Sequence, residues 1–194
     1  HVRDDRPDAA GVRVAEGVSL GAEEIVLLAN DTVELAAGAT VATTSGSRGS
    51  TVDRDDLTDL KLNLAGNDAG AAIVAVSDRS LFDIERAAGD LEVGSIAATA
   101  GSALVTGGAL HVNAPGEIAL DSDIRARGAV WQLGASTVRF DEAVHDDGLT
   151  INSGLLARMQ EAGSLSITSS DAMEFSYAVS LGTANPFDEL TLAA

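Results

Sequence analysis

Cysteine is absent from this chain of 194 residues, and aromatic residues make up only 3% of it. An intracellular protein of this length usually carries a thiol or two, whereas many exported bacterial fibres carry none, so the absence favours secretion. With so few aromatic rings, the core must be filled by alanine, valine, leucine and isoleucine. Such small side chains suit a narrow coil of β-strands.

Basic residues are scarce as well. Twelve stand against 30 acidic residues, which gives a formal net charge of −18, and Lys61 is the single lysine. A surface this acidic repels phosphate backbones, and no basic stripe is present to overcome the repulsion, so the composition argues against nucleic-acid partners. It favours solubility, salt tolerance or cation binding.

Long hydrophobic runs are also missing. No stretch of about 18 apolar residues occurs and no charged-then-apolar leader opens the sequence, so no transmembrane segment is predicted. The sequence opens on HVRDDRPDAAG, which indicates a piece of a larger protein whose residues 1–10 form a loose leading segment. The length suits one cooperative body, so residues 1–194 are predicted to form a single domain.

Glycines recur at a nearly fixed interval through the middle of the chain. They lie at Gly70, Gly89, Gly108, Gly128 and Gly148, with spacings of 19, 19, 20 and 20 residues. Short apolar alternations such as GDLEV, GALHV and GLTI follow most of them, and each is typical of a brief half-buried strand. A unit this short cannot bury its own apolar face, so copies must stack. The period therefore predicts an all-β solenoid with about 20 residues in each of about eight or nine turns.

The repeat also predicts which residues lie above one another. With Gly108 aligned on Gly128, apolar residues of successive turns form columns with a spacing of about 4.8 Å. The predicted columns are Ile118 on Val138, Leu120 on Phe140, Ile124 on Val144, Asp121 on Asp141 and Arg127 on Asp147, the last as an exposed ion pair. Val112 would fall on Gln132 unless a one-residue bulge turns the Trp and Leu of AVWQL inward.

Three segments depart from the repeat. Residues 43–59 have few apolar side chains and many Ser, Gly and Asp residues, which predicts a loop thrown out from the coil wall. Residues 153–161 carry apolar residues at helical spacing, with Asn152 or Ser153 as N-cap and a glycine beyond, so a short helix is predicted there. Residues 164–194 are predicted to form terminal strands and a candidate cap on the open end of the coil, where an exposed strand edge would invite aggregation.

Two segments of the sequence, GDLEVGSIAATAGSALVTGGALHVNAPGEIALDSDIRARGAVWQLGASTVRF and GLTINSGLLARMQEAGSLSIT, resemble the haemagglutinin-type repeats of bacterial large exoproteins, the filamentous-haemagglutinin-like adhesins. In that family a strand, a short leucine-rich helical turn and a Gly-x-Leu-x-Ile segment often follow one another. The likeness covers roughly residues 60–180. The Asn-Pro-Asn-Gly and Asn-Pro-Asn-Leu motifs of the family's secretion domain are absent, which indicates an internal or distal region of such a protein.

The resemblance implies a right-handed parallel β-helix that forms part of the shaft of an adhesin. It further implies two-partner secretion, in which an outer-membrane transporter exports the protein, and display at the bacterial cell surface or release as a fibre. The expected partner is a receptor or glycan on a host cell or a sister cell. Such a shaft needs no catalytic residue and no cofactor.

The sharpest candidates for chemistry are four carboxylates, Asp121 and Asp123 on one predicted turn and Asp141 and Glu142 on the next. Aligned carboxylates about 5 Å apart can serve a retaining glycosidase, or can bind Ca²⁺ if further oxygens converge. Both pairs directly follow apolar strands, where turn-forming aspartate is expected anyway. Solvated turn residues, a polysaccharide-processing β-helix enzyme, and a calcium-stabilised β-roll or surface-layer module therefore stay open.

The remaining candidate functional residues are the histidines and the residues of the predicted loop. The alternation places His111 on the outward side of its strand as a surface residue, and the repeat places His145 over Arg125, with no pair at metal-ligand spacing. The favoured recognition surface is the 43–59 loop, because loops on a rigid rod tolerate variation and carry binding. Its candidate residues are Ser45, Arg48, Asp53, Arg54 and Asp55.

Overall fold

The structure, a computed structural model, describes residues 2–3, 11–65, 69–87, 93–183 and 185–194. The predicted leading segment 1–10 lies outside the described residues except for the backbone of residues 2–3, and most of the predicted strand in GDLEV lies outside them too. The first strands are β1 (Val2–Arg3), β2 (Val12–Val14), β3 (Ser19–Ala22), β4 (Glu24–Ala29), β5 (Thr32–Leu35) and β6 (Thr40–Thr43). The next elements are α1 (Thr44–Ser47), a 3₁₀ turn (Arg54–Asp56), β7 (Thr58–Leu64), β8 (Ala72–Ser77) and β9 (Ser80–Arg86).

The described residues from 93 onward form nine further strands and one more helix. They are β10 (Ser95–Ala98), β11 (Ala103–Val105), β12 (Ala109–Ala114), β13 (Ile118–Leu120), β14 (Asp123–Arg125), β15 (Val130–Phe140), β16 (Leu149–Thr150), α2 (Ser153–Met159), β17 (Ser164–Phe175) and β18 (Glu189–Ala193).

Strands account for 51% of the structure and helices for 9%. The largest sheet has the order β1-β4-β8-β12-β15-β16-β13-β10-β5-β2, and β17 and β18 extend it from β15. A second sheet has the order β14-β11-β6-β3, and β7 and β9 form a sheet of two strands. The large sheet is nearly closed and mostly parallel. The prediction of a β chain with parallel pairing is confirmed at this level, whereas the sheet is close to a barrel in form and a continuous β-helix is not established.

Parallel pairing repeats at a spacing close to the predicted period. Val12 of β2 pairs with Val33 of β5 in the large sheet. In the second sheet Leu104 of β11 pairs with Ile124 of β14. The partners in each pair are separated along the chain by about one predicted period. In these strand pairs, residues about one period apart therefore lie side by side.

The strand that carries the single tryptophan follows nearly the same spacing. Leu110 of β12 pairs with Trp131 of β15, and Val112 pairs with Leu133, one position beyond the predicted alignment. Trp131 and Leu133 both point into the core, but the predicted bulge is not needed, because the observed register already places apolar residues beside apolar ones. The Trp131 ring is 1% exposed and its Nε1 donates to the Ala126 carbonyl oxygen at 2.8 Å, so its buried N–H group is satisfied.

The predicted column of Ile118 on Val138 is interrupted. Leu149 of β16 pairs with Ile118 on one side and with Val138 on the other. Residues 141–148 form a loop, and the chain then returns to insert β16 between β13 and β15. Val144, predicted to lie on the buried Ile124, falls within this loop and is 83% exposed.

A long excursion separates β6 from β10. Ala97 of β10 pairs with Glu34 of β5, so two strands that are neighbours in the sheet are separated along the chain by about three predicted periods. The predicted 43–59 loop is only the first part of this excursion, and it contains α1 and the 3₁₀ turn. Both begin at a capping side chain: Thr43 accepts the N–H of Gly46, and Asp53 accepts that of Asp55.

The excursion adds a second layer to one side of the large sheet. β8 enters the sheet between β4 and β12 and runs antiparallel to both. Its sequence, AIVAVS, is buried at every position, because Val74 and Val76 face the main core while Ile73 and Ala75 pack beneath β7 and β9. The sequence of a strand that is covered on both faces is typically a continuous apolar run.

Two remaining predictions concern the chain's end. Helix α2 is confirmed: the Asn152 side chain accepts the Leu155 N–H at 2.9 Å as N-cap, and Leu155 and Met159 are buried. The terminal segment forms β17 and β18, with β18 at the edge of the sheet. Leu190 and Leu192 of β18 are 44% and 43% exposed.

Candidate functional site

A groove of about 810 Å³ lies on the outer face of the second sheet. Its floor is formed by β6, β11 and β14, whose outward side chains are mostly small. One wall is the segment from Gly46 to Thr51, and the other is α2 with Glu161 beyond it. The groove therefore joins the predicted recognition loop to a helix that lies far along the sequence.

Hydrogen bonds and close packing hold the first wall in place. The Ser45 N–H donates to Asp78 Oδ2 at 2.7 Å, and the Ser45 hydroxyl bonds to the other oxygen of the same carboxylate. Gly46 lies so close to β11 that a Cβ there would stand 2.6 Å from the Cα of Thr106. Only glycine permits this approach, so the wall rests directly on the floor of the groove.

Three arginines line the opposite side of the groove. Arg125 is paired with Asp123 at 2.6 Å and Arg127 with Glu161 at 3.3 Å, while Arg158 Nη1 donates to a backbone carbonyl oxygen at 3.2 Å. The three arginines and the two carboxylates of Asp123 and Glu161 together carry a formal charge of +1, whereas the whole chain has a net charge of −18. Among the recesses of this acidic molecule, the groove thus has a local excess of basic groups.

The five predicted recognition residues occupy different places along the groove wall and beyond it. Ser45 is tied to Asp78 beneath the wall, and Arg48 is the exposed C-cap of α1. Asp53 caps the 3₁₀ turn, Asp55 lies in the first turn, and Arg54 forms an ion pair with Glu189 of β18. Their segment borders the groove, but the groove is lined on this side by small residues and not by any of these five: Gly46, Ser47, Gly49, Ser50 and Thr51.

The four predicted carboxylates do not form one cluster. Asp123 is paired with Arg125, and the exposed Asp121 donates its backbone N–H to the Ala98 carbonyl oxygen at 2.9 Å. Glu142 accepts the Ser153 N–H at 3.0 Å, at the start of α2. Within the described ranges, no group of three His, Cys, Asp or Glu side chains is placed to hold a metal ion.

Asp141 is the most strongly engaged of the four. Its carboxylate accepts the Ala143 N–H at 3.1 Å, contacts His145 Nε2 at 3.2 Å and accepts the Ser176 hydroxyl at 3.0 Å. The Ala143 N–H, followed by His145 and Ser176, lowers the pKa of Asp141 to about 2. The His145 ring therefore lies against Asp141, and the predicted stacking of His145 over Arg125 is wrong.

The predicted ion pair between Arg127 and Asp147 is also wrong. Arg127 pairs with Glu161, whereas Asp147 forms two bonds to the guanidinium of Arg139, at 2.9 and 3.1 Å. The loop at 141–148 carries Asp147 back toward its own strand, so it never reaches the turn that holds Arg127. The pair holds the pKa of Asp147 below its ordinary value, chiefly through the Arg139 hydrogen bonds.

The sequence alone did not bring Arg127 and Arg158 into one site. Arg158 lies on α2, which the pattern predicted, and the GLTI alternation predicted a strand at β16, but nothing local showed that β16 pairs between β13 and β15. Comparisons of the chain with family models, with curated proteins and with solved structures give no match. In the part of the chain that the structure describes, no helix is both long enough and apolar enough to cross a bilayer.

Proposed function

We propose that this chain is part of the structural shaft of an exported bacterial adhesin, coiled as a right-handed parallel β-helix, and that it presents the groove for attachment. The observation that carries the proposal is the repeated parallel register. Strands of the large sheet and of the second sheet both pair at offsets of about one predicted period. A coil with one such period in each turn would place both stacks along one axis.

A coil of this kind suits a mechanical role. Its backbone hydrogen bonds run along the axis, and its interior is a column of aliphatic side chains such as Leu27, Val33, Ile96 and Leu104, all at most 1% exposed. The acidic surface keeps copies apart and in solution. No catalytic residue and no cofactor is needed for such a spacer.

The groove supplies the surface that a shaft would present. Its partner is a receptor or glycan on a host cell or a sister cell, which the arginines and the hydroxyls of the groove would contact. Export through an outer-membrane transporter would place the chain at the cell surface or outside the cell. The lack of cysteine agrees with that location.

Bead adhesion tests the proposal. Beads coated with the chain, at equal density, are applied to epithelial cells and to bacterial lawns. The wild type and the Arg13→Ala control, whose exposed arginine lies outside the groove, are expected to adhere. The Arg125→Ala/Arg127→Ala variant is expected to lose most adhesion. Adhesion no better than that of uncoated beads would overturn the attachment role, and release of sugars from polysaccharides by the purified chain would favour the enzyme alternative.

A further inference from the structure

A smaller recess of about 220 Å³ lies on the outer face of the large sheet, beside the strand β9 that covers it. Its floor is formed by outward residues of three adjacent strands, β12, β15 and β17. His111 pairs in register with Gln132, and Gln132 pairs with Ser166, so these side chains form one row. Asn113, Gly134 and Thr168 form the next row.

His111 is the unusual member of this floor. It is 5% exposed, and neither buried ring nitrogen has a partner at hydrogen-bond geometry among the described residues, although the neighbouring Gln132 side chain weakly opposes the effect of burial on its pKa. The Phe82 ring covers it edge-on, with 5.8 Å between ring centroids. Burial lowers the pKa of His111 to about 4, so the ring is neutral near pH 7 and offers one N–H donor and one lone pair. Leaving both unmet is costly, which points to a group that enters the recess.

Neighbouring side chains are held so that polar groups converge beside the histidine. Gln132 is anchored to β9, since its Oε1 accepts the Phe82 N–H at 3.1 Å and its Nε2 donates to the Phe82 carbonyl oxygen at 3.0 Å. Asn113 Oδ1 accepts from Arg86 at 2.5 Å, which turns the amide Nδ2 toward Gly134. A Cβ on Gly134 would collide with that Nδ2 and would stand 3.0 Å from the Thr168 hydroxyl.

The character of the lining identifies the class of ligand. The imidazole, amide and hydroxyl groups are uncharged, and the imidazole and hydroxyl can each donate and accept, which matches a ligand that bears hydroxyl groups. The Asp83 carboxylate at the rim, paired with Lys61 at 3.3 Å, disfavours an anion. The guanidinium of Arg86, which donates to Asn113 Oδ1, disfavours a cation. A volume of this size holds about seven water molecules, which limits the ligand to one sugar ring or a short polyol.

We propose that the recess binds a small polyhydroxylated ligand, either a free polyol or a single terminal sugar of a glycan, through His111, Asn113 and Thr168. The site lies apart from the arginine groove and does not depend on the adhesin role. A sugar bound there lies against the Asn113 amide and the Thr168 hydroxyl and supplies partners to the His111 ring.

Nitrogen-15 NMR of the histidine rings tests this site in the intact chain at pH 7. The probes are glycerol, inositol, glucose, galactose, N-acetylglucosamine and the methyl glycosides of the three sugars, with acetate and phosphate as anions. We expect a saturable shift of the His111 ring nitrogens with at least one hydroxylated probe and not with the anions. Binding of methyl glycosides indicates a terminal sugar, and binding of free polyols alone indicates a free polyol.

Two variants keep the proposal falsifiable. Thr168→Val removes the hydroxyl with little change in shape, and we expect it to weaken binding about fivefold, the loss of one ordinary hydrogen bond. Ser170→Ala, at an exposed position on the same strand, should bind as the wild type does. No saturable shift with any hydroxylated probe, which would mean that water alone fills the recess, overturns the proposal, as does equal response to the anions or equal binding by Thr168→Val.

Discussion

Acidification should destabilise the fold through His111. The ring is buried and neutral, with its pKa lowered by burial from 6.5 to about 4. Between these two values the unfolded chain binds a proton that the folded chain does not, so the free energy of unfolding falls as the pH falls from 6.5 to 4. The full effect of such a shift is about 3 kcal/mol, and about 2 kcal/mol of it is already lost at pH 5.

The assay is urea unfolding at pH 7 and at pH 5, followed by far-ultraviolet circular dichroism. Two non-titrating variants, His111→Asn and His111→Gln, are each compared with the wild type at both values. Any packing defect that a variant introduces is present at both pH values and cancels in the difference. Titration of the surface carboxylates is shared by all three proteins, so it cancels as well.

The wild type is expected to lose about 2 kcal/mol more than either variant between pH 7 and pH 5. Asp141 does not affect the comparison between pH 7 and pH 5, because its pKa is about 2 and the stability that it contributes is lost only at lower pH. Equal pH dependence in the wild type and both variants would refute the reasoning, since it would mean that the His111 ring is solvated or satisfied in the folded chain.

Three further predictions concern the helix, the groove wall and calcium. Asn152→Ala should destabilise the chain by about 1 kcal/mol in urea unfolding by removing the N-cap of α2, and Ser153→Ala should change it little. Gly46→Ala should cost about 1 to 3 kcal/mol, because its Cβ would meet the backbone of Thr106, whereas Gly21→Ala has open space around it and should not; equal values would contradict the close packing. The melting temperature should be the same with Ca²⁺ and with chelator, and a rise on adding Ca²⁺ would restore the calcium-module hypothesis.

The features that the sequence predicted are those with a local signal. Helix α2 combines a capping residue with apolar residues at helical spacing, so it needs no knowledge of the rest of the chain. The apolar residues around Trp131 indicate that it is buried, although the bulge expected to turn it inward is not needed. The parallel pairing follows from the period, because residues one period apart must meet if units too short to bury themselves stack on one another.

The features that it missed depend on insertions into the stack. His111 does point outward from its strand, as alternation requires, but it is buried because β9 lies over it. The continuous apolar run of β8 signals a strand covered on both faces, yet nothing local says which strands flank it. Likewise, Ile118 and Val138 match in pattern, and only the fold reveals that Leu149 lies between them.

Disulfide trapping tests the stacked register most directly, because the chain has no cysteine of its own. Ala97 pairs with Glu34 on one side and with Ala119 on the other, at positions that are partly exposed. Under mild oxidation, Glu34→Cys/Ala97→Cys and Ala97→Cys/Ala119→Cys should each form a disulfide in most molecules, as counted by mass spectrometry. Glu34→Cys/Ala119→Cys, two strands apart, should not. Efficient trapping of that last pair, or failure of the first, would contradict the stacking of β10 directly on β5.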